Sequence, residues 1–508
     1  MRGYLKGMIL AGWALLAAGQ VRETWAAGHP AVGSADFART ATSTPVGSRL
    51  RVEDVAVSDD APVAFELERF QVFADGAEIA LHVQGGGVRK LKAPANVYFR
   101  GVVEGRPASK VFLARLEDGS TQGVVSDEGG TWLIGAGGAA PAKALGGRLE
   151  MERIDPALLK SARGGPSTCG NVDLPPGPGN EPMLDLGTPG AGALEKSVAG
   201  AEVTAARTAR LAIETDFEFY QIFNSSTLAT NYVGTLVGYA SVVYAAELGT
   251  SLVVQSLSLW QTSGDPWTQR NSLCGLLEFG KYWNQNKAGV SRTVAHFLSG
   301  RATGGGMSWV GALCKPTFFT GRLNCPELGT ETAAAPWGGD YGFTGNLYGE
   351  FSLANPVVVW DSYAFAHELG HNFGSPHSHC YNGYGGTADP IDKCYGGEGG
   401  CYAGATSLPG PAKLGAGTIM SYCHMLSGNY QNISMSFGTG FAYGTQPGRE
   451  ASRMNQYIAA VASASPSCLA SGSQPTGQPG TQPPPPPQPQ WSGVFTDSFE
   501  SGGLTFWQ

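Results

Sequence analysis

Two spacings of apolar residues divide the chain. Between about residues 50 and 155, apolar and polar positions alternate in short runs, as in Glu78-Ile79-Ala80-Leu81-His82-Val83 and Lys110-Val111-Phe112-Leu113-Ala114-Arg115. Alternation with a period of two puts one face of a strand into a core. Gly85-Gly86-Gly87 marks a turn between such runs. A β-rich unit is therefore expected over 28–165. From about 164 to 204 the periodicity stops and Pro, Gly and Ala dominate, as in Pro175-Pro176-Gly177-Pro178-Gly179, so 166–207 reads as an exposed linker. A second unit opens near Thr208. Leu211–Thr215 reads as a strand and Thr227–Leu248 as a helix. Val233, Leu236, Val237, Ala240, Val243 and Tyr244 mark the apolar face of that helix at helical spacing, and Gly249 stops it. Ser251–Trp260 reads as the next strand. Strand, helix, strand predicts an α/β unit, bounded at 208–470. Residues 471–490 are rich in Gln, Pro and Gly, with consecutive prolines from Pro483 to Pro487, and predict an extended linker. Residues 491–508 are then a tail, too short to bury a core alone.

Length and composition agree with this partition. The chain has 508 residues, enough for two or three domains at roughly 100–200 residues each. Hydrophobic residues make up 42% and charged residues 15%, which allows a sizeable core. The 74 glycines are about twice average usage and predict many turns and long loops. A net charge of −8 gives no basic footprint for nucleic acid. The N-terminus reads as a signal peptide over 1–27: Arg2 and Lys6 are followed by an apolar run, Met8–Ala18, too short to span a bilayer. No later segment is apolar enough for stable membrane insertion, so a secreted, extracellular protein is expected. Of nine cysteines, all but Cys169 lie after residue 270. Those eight could form four disulfides in an oxidising compartment, with the connectivity left open.

The chemistry concentrates in His367-Glu368-Leu369-Gly370-His371-Asn372-Phe373-Gly374-Ser375-Pro376-His377. Asp361 or Ser362 can cap a helix that starts just before it. His367 and His371 then share one helical face, and Phe365, Leu369 and Phe373 take the other. Gly374 can end the helix in the left-handed conformation and return His377 as a third ligand. Three imidazole nitrogens plus one open position is the coordination of catalytic Zn2+. Glu368 is badly directed for ligation but can reach a water on the metal and act as general base.

This segment resembles the extended zinc motif of the metzincins, and Asn372 after His371 is closest to their adamalysin (reprolysin) branch. Adamalysins usually carry Asp after the third His; Ser378 stands there in this chain, as in the matrixins. The resemblance spans about 208–468. It implies a metzincin catalytic domain of α/β (α+β) type, with a twisted mixed sheet and an active-site helix, preceded by the β-rich prodomain. It implies a zinc metalloendopeptidase that takes protein or peptide substrates. The antiparallel edge strand, over which a peptide would lie, is expected at Gly306–Gly311. Gly417-Thr418-Ile419-Met420-Ser421-Tyr422 resembles the family's Met-turn, with Met420 beneath the zinc. Tyr422 stands where astacins and serralysins carry a tyrosine that touches zinc and stabilises the oxyanion; beside Cys423 it reads more readily as a packing or hydrogen-bonded residue. His379 reads as a loop residue, and His424 as structural. Thr168-Cys169-Gly170 resembles the cysteine switch of matrixin and adamalysin prodomains, although no Arg directly precedes Cys169. That implies a latent precursor in which Cys169 occupies the fourth zinc position. Calcium sites are not readable. Two other readings stand beside this one: an inactive metzincin-like binding protein, and a zinc hydrolase of a non-peptide substrate.

Overall fold

The computed structural model describes residues 30–58, 60–127, 130–135, 148–153, 207–315, 338–349 and 358–471, with four two-residue strands between 320 and 336. The expected signal peptide, the linkers, Cys169 and the C-terminal tail lie outside the described residues.

The N-terminal region is β-rich, as its alternation predicts. Its elements are β1 (Ala31–Gly33), α1 (Phe37–Ala41), β2 (Arg49–Val57), β3 (Asp60–Phe70), β4 (Phe73–His82), β5 (Val88–Leu91), β6 (Val97–Val103), β7 (Arg106–Arg115), β8 (Thr121–Asp127), β9 (Gly130–Gly135) and β10 (Glu150–Arg153). The order β2-β10-β9-β8-β7-β6-β3 closes back onto β2, which makes a barrel, with β1 added alongside β2. Phe37, Val52, Phe65, Leu67, Phe99, Val111 and Leu113 fill it.

The second region begins with β11 (Arg207–Thr215), α2 (Phe217–Phe223), α3 (Ser226–Leu248) and β12 (Thr250–Trp260). It continues with α4 (Ser272–Asn286), β13 (Val294–Leu298) and β14 (Gly306–Ser308). Two short pairs follow, β15 (Thr320–Gly321) with β18 (Ala335–Pro336) and β16 (Asn324–Cys325) with β17 (Gly329–Thr330). Then come β19 (Tyr341–Thr344), α5 (Val358–Asn372), α6 (Arg449–Ala464) and β20 (Ala470–Ser471). The sheet runs β14-β19-β13-β11-β12 and then takes in β4 and β5 from the N-terminal region. β11, β12, β13 and β19 are mutually parallel, and β14 is antiparallel at the outer end. One sheet face packs on α4 through Trp267, Phe279, Trp283, Phe297 and Phe343.

Helix α3 is built to be buried. Ser225 Oγ accepts the Leu228 N–H at 3.3 Å, and Gly249 ends the helix at φ +55°. Between them nearly every side chain is buried, not only the predicted apolar stripe. A helix covered all round lies between two layers, and here these are α5 and the barrel. Tyr244 packs edge-on against Phe373 of the α5 end and donates to the Ala366 carbonyl at 2.9 Å. The opposite face carries Gly234 and Gly238, against Tyr98 and Phe112 of the barrel. Among the described residues no helix is long and apolar enough to cross a membrane.

Candidate metal centre

Helix α5 carries the first two histidines. It starts at Val358, earlier than expected, so neither Asp361 nor Ser362 is its cap. Asp361 sits in the first turn, where its carboxylate accepts the N–H groups of Tyr348 (3.1 Å) and Gly349 (2.9 Å) and the Tyr232 hydroxyl. These bonds consume the group that would have capped and pin the preceding segment to the helix. Phe365, Leu369 and Phe373 are fully buried on the core side. The helix ends after Asn372, and Gly374 turns the chain at φ +95° with its N–H on the His371 carbonyl. The last carbonyls also accept from the segment beyond β14, Gly311 N–H to His371 and Ala312 N–H to Asn372. Asn372 Nδ2 donates to the Trp309 and Tyr341 carbonyls at 3.0 and 2.9 Å, which locks the helix end to the outer strands.

His367, His371 and His377 converge, each offering a ring nitrogen within 4.8 Å of the others. Every Nδ1 is held by an acceptor. His367 Nδ1 donates to the Ile419 carbonyl at 2.6 Å, His371 Nδ1 to the Ser375 carbonyl at 2.7 Å and His377 Nδ1 to Glu398 Oε2 at 2.6 Å. A carbonyl or carboxylate can only accept, so in the neutral ring the proton stays on Nδ1 and Nε2 is left as a lone pair. Burial holds the first two rings neutral: it pushes His367 well below its ordinary value and His371 down to about 3, with the neighbouring histidines adding to the effect. The Nε2 atoms of His371 and His377 are 3.2 Å apart, and His367 Nε2 is buried without a hydrogen-bond partner. Lone pairs this close repel one another unless a cation lies between them. The residues therefore fit a metal ion held by three imidazoles.

The segment expected to form a turn beneath the metal packs against the same helix. Met420 is fully buried, and a Cβ at Gly370 would lie 2.6 Å from its Sδ, so glycine in the helix lets the thioether approach. The Met420 carbonyl accepts the Ser378 N–H at 2.9 Å, which ties this turn to the residue after His377. The Tyr422 ring is buried 4.4 Å from that of His377 and 6.0 Å from that of His367. Glu368 is fully buried, and its carboxyl lies against β14: a Cβ on Gly306 would come within 2.4 Å of Glu368 Cδ and Oε1.

Of three neighbouring residues, His379 differs from its sequence reading, Glu398 was absent from it and His424 fits it. His379 is fully buried, and its Nε2 shares Glu398 Oε2 at 2.7 Å. Glu398, in the glycine-rich stretch between His377 and the Met420 turn, drew no attention in the sequence. Burial pushes its carboxyl up, but His377 and His379 outweigh that and hold it below the usual carboxylate range. His424 is structural: Nδ1 lies 3.2 Å from the Tyr363 hydroxyl, and the ring stacks on Tyr430. Disulfides Cys380–Cys401 and Cys394–Cys423 brace the loop carrying Glu398, and Cys314–Cys468 ties the end of the region to its sheet. Cys274 is also disulfide-bonded.

No curated protein matches this chain. Among solved structures it is similar to metalloproteinase-II from Bacteroides fragilis, at 11% identity and a TM-score of 0.32, over 69% of this chain and 89% of that one. Residues 205–434, which hold the three histidines, Glu368 and Met420, match the family model Reprolysin_5, metallo-peptidase family M12.

Proposed function

We propose that the chain is an exported zinc metalloendopeptidase, made as a latent precursor, in which His367, His371 and His377 hold the metal and Glu368 is the general base. The observation that carries this is the set of three Nε2 lone pairs freed toward one point by three separately anchored Nδ1 protons, with a buried carboxyl beside them. When bound, zinc lowers the pKa of a water in its open position to about 7 and polarises the scissile carbonyl. Glu368 takes the proton of the attacking water on its carboxylate and returns it to the departing amine. β14 is the outer strand of the sheet and passes Gly306 against that carboxyl, so a peptide added along its edge brings its backbone to Glu368. Met420 packs against Gly370, which lies between His367 and His371 on the helix. Tyr422, close to the His377 ring, is the remaining candidate to stabilise the oxyanion.

The test is hydrolysis of casein by the matured protein with and without a chelator, run beside Glu368→Gln. Loss of activity of at least about 10²-fold with zinc still bound is expected of the variant. Chelator-insensitive hydrolysis, or a variant within about threefold of wild type, sinks the reading. Full zinc occupancy without hydrolysis of any protein would favour the binding-protein or non-peptide alternatives.

A further inference from the structure

We infer that the barrel is a permanent part of the mature protein, held to the catalytic region by packing after the chain between them is cut, and is not a propeptide that departs. Strand β4 leaves the barrel region and pairs in parallel with β12, from Ser256 opposite Glu78 to Trp260 opposite His82. The Val254 N–H donates to the Val72 carbonyl at 2.7 Å and the Gln261 N–H to the His82 carbonyl at 2.9 Å. The His82 ring stacks on Trp260 at 3.8 Å between centroids. Without β4, β12 would be a long, unpaired, apolar edge, the kind that templates aggregation. With it, the sheet ends instead on β5, whose Arg89 and Lys90 are exposed and charged.

The second face is the back of α3. A Cβ at Gly234 would lie 2.3 Å from Tyr98 Oη, and one at Gly238 would lie 2.6 Å from the Phe112 ring, so both positions admit the barrel only as glycine. Polar groups are matched across the same boundary. Arg100 Nη1 donates to Ser251 Oγ at 2.8 Å, Asn96 Nδ2 to Asn231 Oδ1 at 2.8 Å and Gln122 Nε2 to Thr235 Oγ1 at 2.7 Å. Lys110 pairs with the nearly buried Glu247 at 3.1 Å. Departure of the barrel would expose one continuous apolar surface shared by Phe73, Tyr98, Phe112 and α3, and would strip these buried polar groups of partners. A surface fitted this closely suits an interior that persists.

The experiment places a specific protease site between Gly164 and Gly165 of the full chain. The first cysteine is Cys169, so no disulfide can join the two fragments after the cut. Complete cutting is verified on a denaturing gel, and the native sample is then passed over a sizing column while diluted to roughly 100 nM, where a contact of micromolar Kd would separate. Co-elution of both fragments at the mass of the uncut chain is expected. Separate elution of the barrel overturns the inference, whatever the state of the remainder. The readout is mass, so it stands or falls apart from the peptidase reading.

Discussion

At the residue scale, the three histidines that converge were legible and the carboxylate that holds one of them was not. His367 and His371 are fixed by a four-residue spacing on a single helix, and His377 by one turn at Gly374, so local geometry suffices. Glu398 reaches His377 across 21 residues of loop, and nothing in a glycine-rich sequence announces that closure. It accepts from both His377 and His379 through one oxygen, which sets the tautomer and tilt of His377, the proposed third ligand. Partners of this kind are worth about 10–100-fold in metal affinity. Glu398→Ala should therefore weaken zinc binding by that factor in a chelator competition, while a denaturation curve of the metal-free protein shifts little. An unchanged zinc affinity would show that the Cys380–Cys401 and Cys394–Cys423 bridges hold His377 by themselves.

At the element scale, periodicity found the strands and helices but only half of what they touch. The stripe Val233, Leu236, Val237, Ala240, Val243 on α3 was readable, whereas Gly234 and Gly238 carry no hydrophobic signal and still face a packed layer. Helix α6 offers a second case. Its Glu450 sits in the first turn, fully buried, and Oε1 accepts Ser378 Oγ at 2.5 Å and Thr418 Oγ1 at 2.7 Å. One carboxyl thus joins the helix, the turn after His377 and the turn before Met420. Burial outweighs these hydrogen bonds and pushes the carboxyl up to about 8. A carboxyl raised in the folded state stabilises below its unfolded value near 4.5, and that contribution is lost as pH rises through about 8. The melting temperature should fall from about pH 5 to about pH 8 and level off above, and Glu450→Gln, which keeps the acceptor but cannot ionise, should fall less over that window, by on the order of a few degrees. Parallel declines in the two proteins would remove Glu450 as the cause.

At the scale of the whole molecule, the change from a β-rich N-terminal region to a mixed one was readable, but their boundary in space was not. The run Glu78–His82 alternates like any barrel strand, and only the unpaired flank of β12 decides that it belongs to the other sheet. Latency belongs to this scale too, because it depends on which cysteine is left over. Of nine cysteines, three disulfides among the described residues take six, and Cys274 is bonded as well. The partner of Cys274 is therefore Cys169 or Cys325. We propose that it is Cys325, which lies with the other seven cysteines after residue 270, so that those eight would pair among themselves and leave Cys169 as a thiol ahead of Gly170. A thiolate there is a strong zinc ligand, able to fill the position a water needs. Cutting between Gly170 and Arg207 would then free the Cys169 end while the barrel stays docked, which separates activation from loss of the N-terminal region. Cys169→Ser should give an uncut precursor that already hydrolyses peptides, at a rate approaching that of the matured protein. Peptide mapping of the unreduced precursor checks the premise independently. A Cys274–Cys325 bridge with alkylatable Cys169 is expected, and a bridge between Cys169 and Cys274 would end the switch.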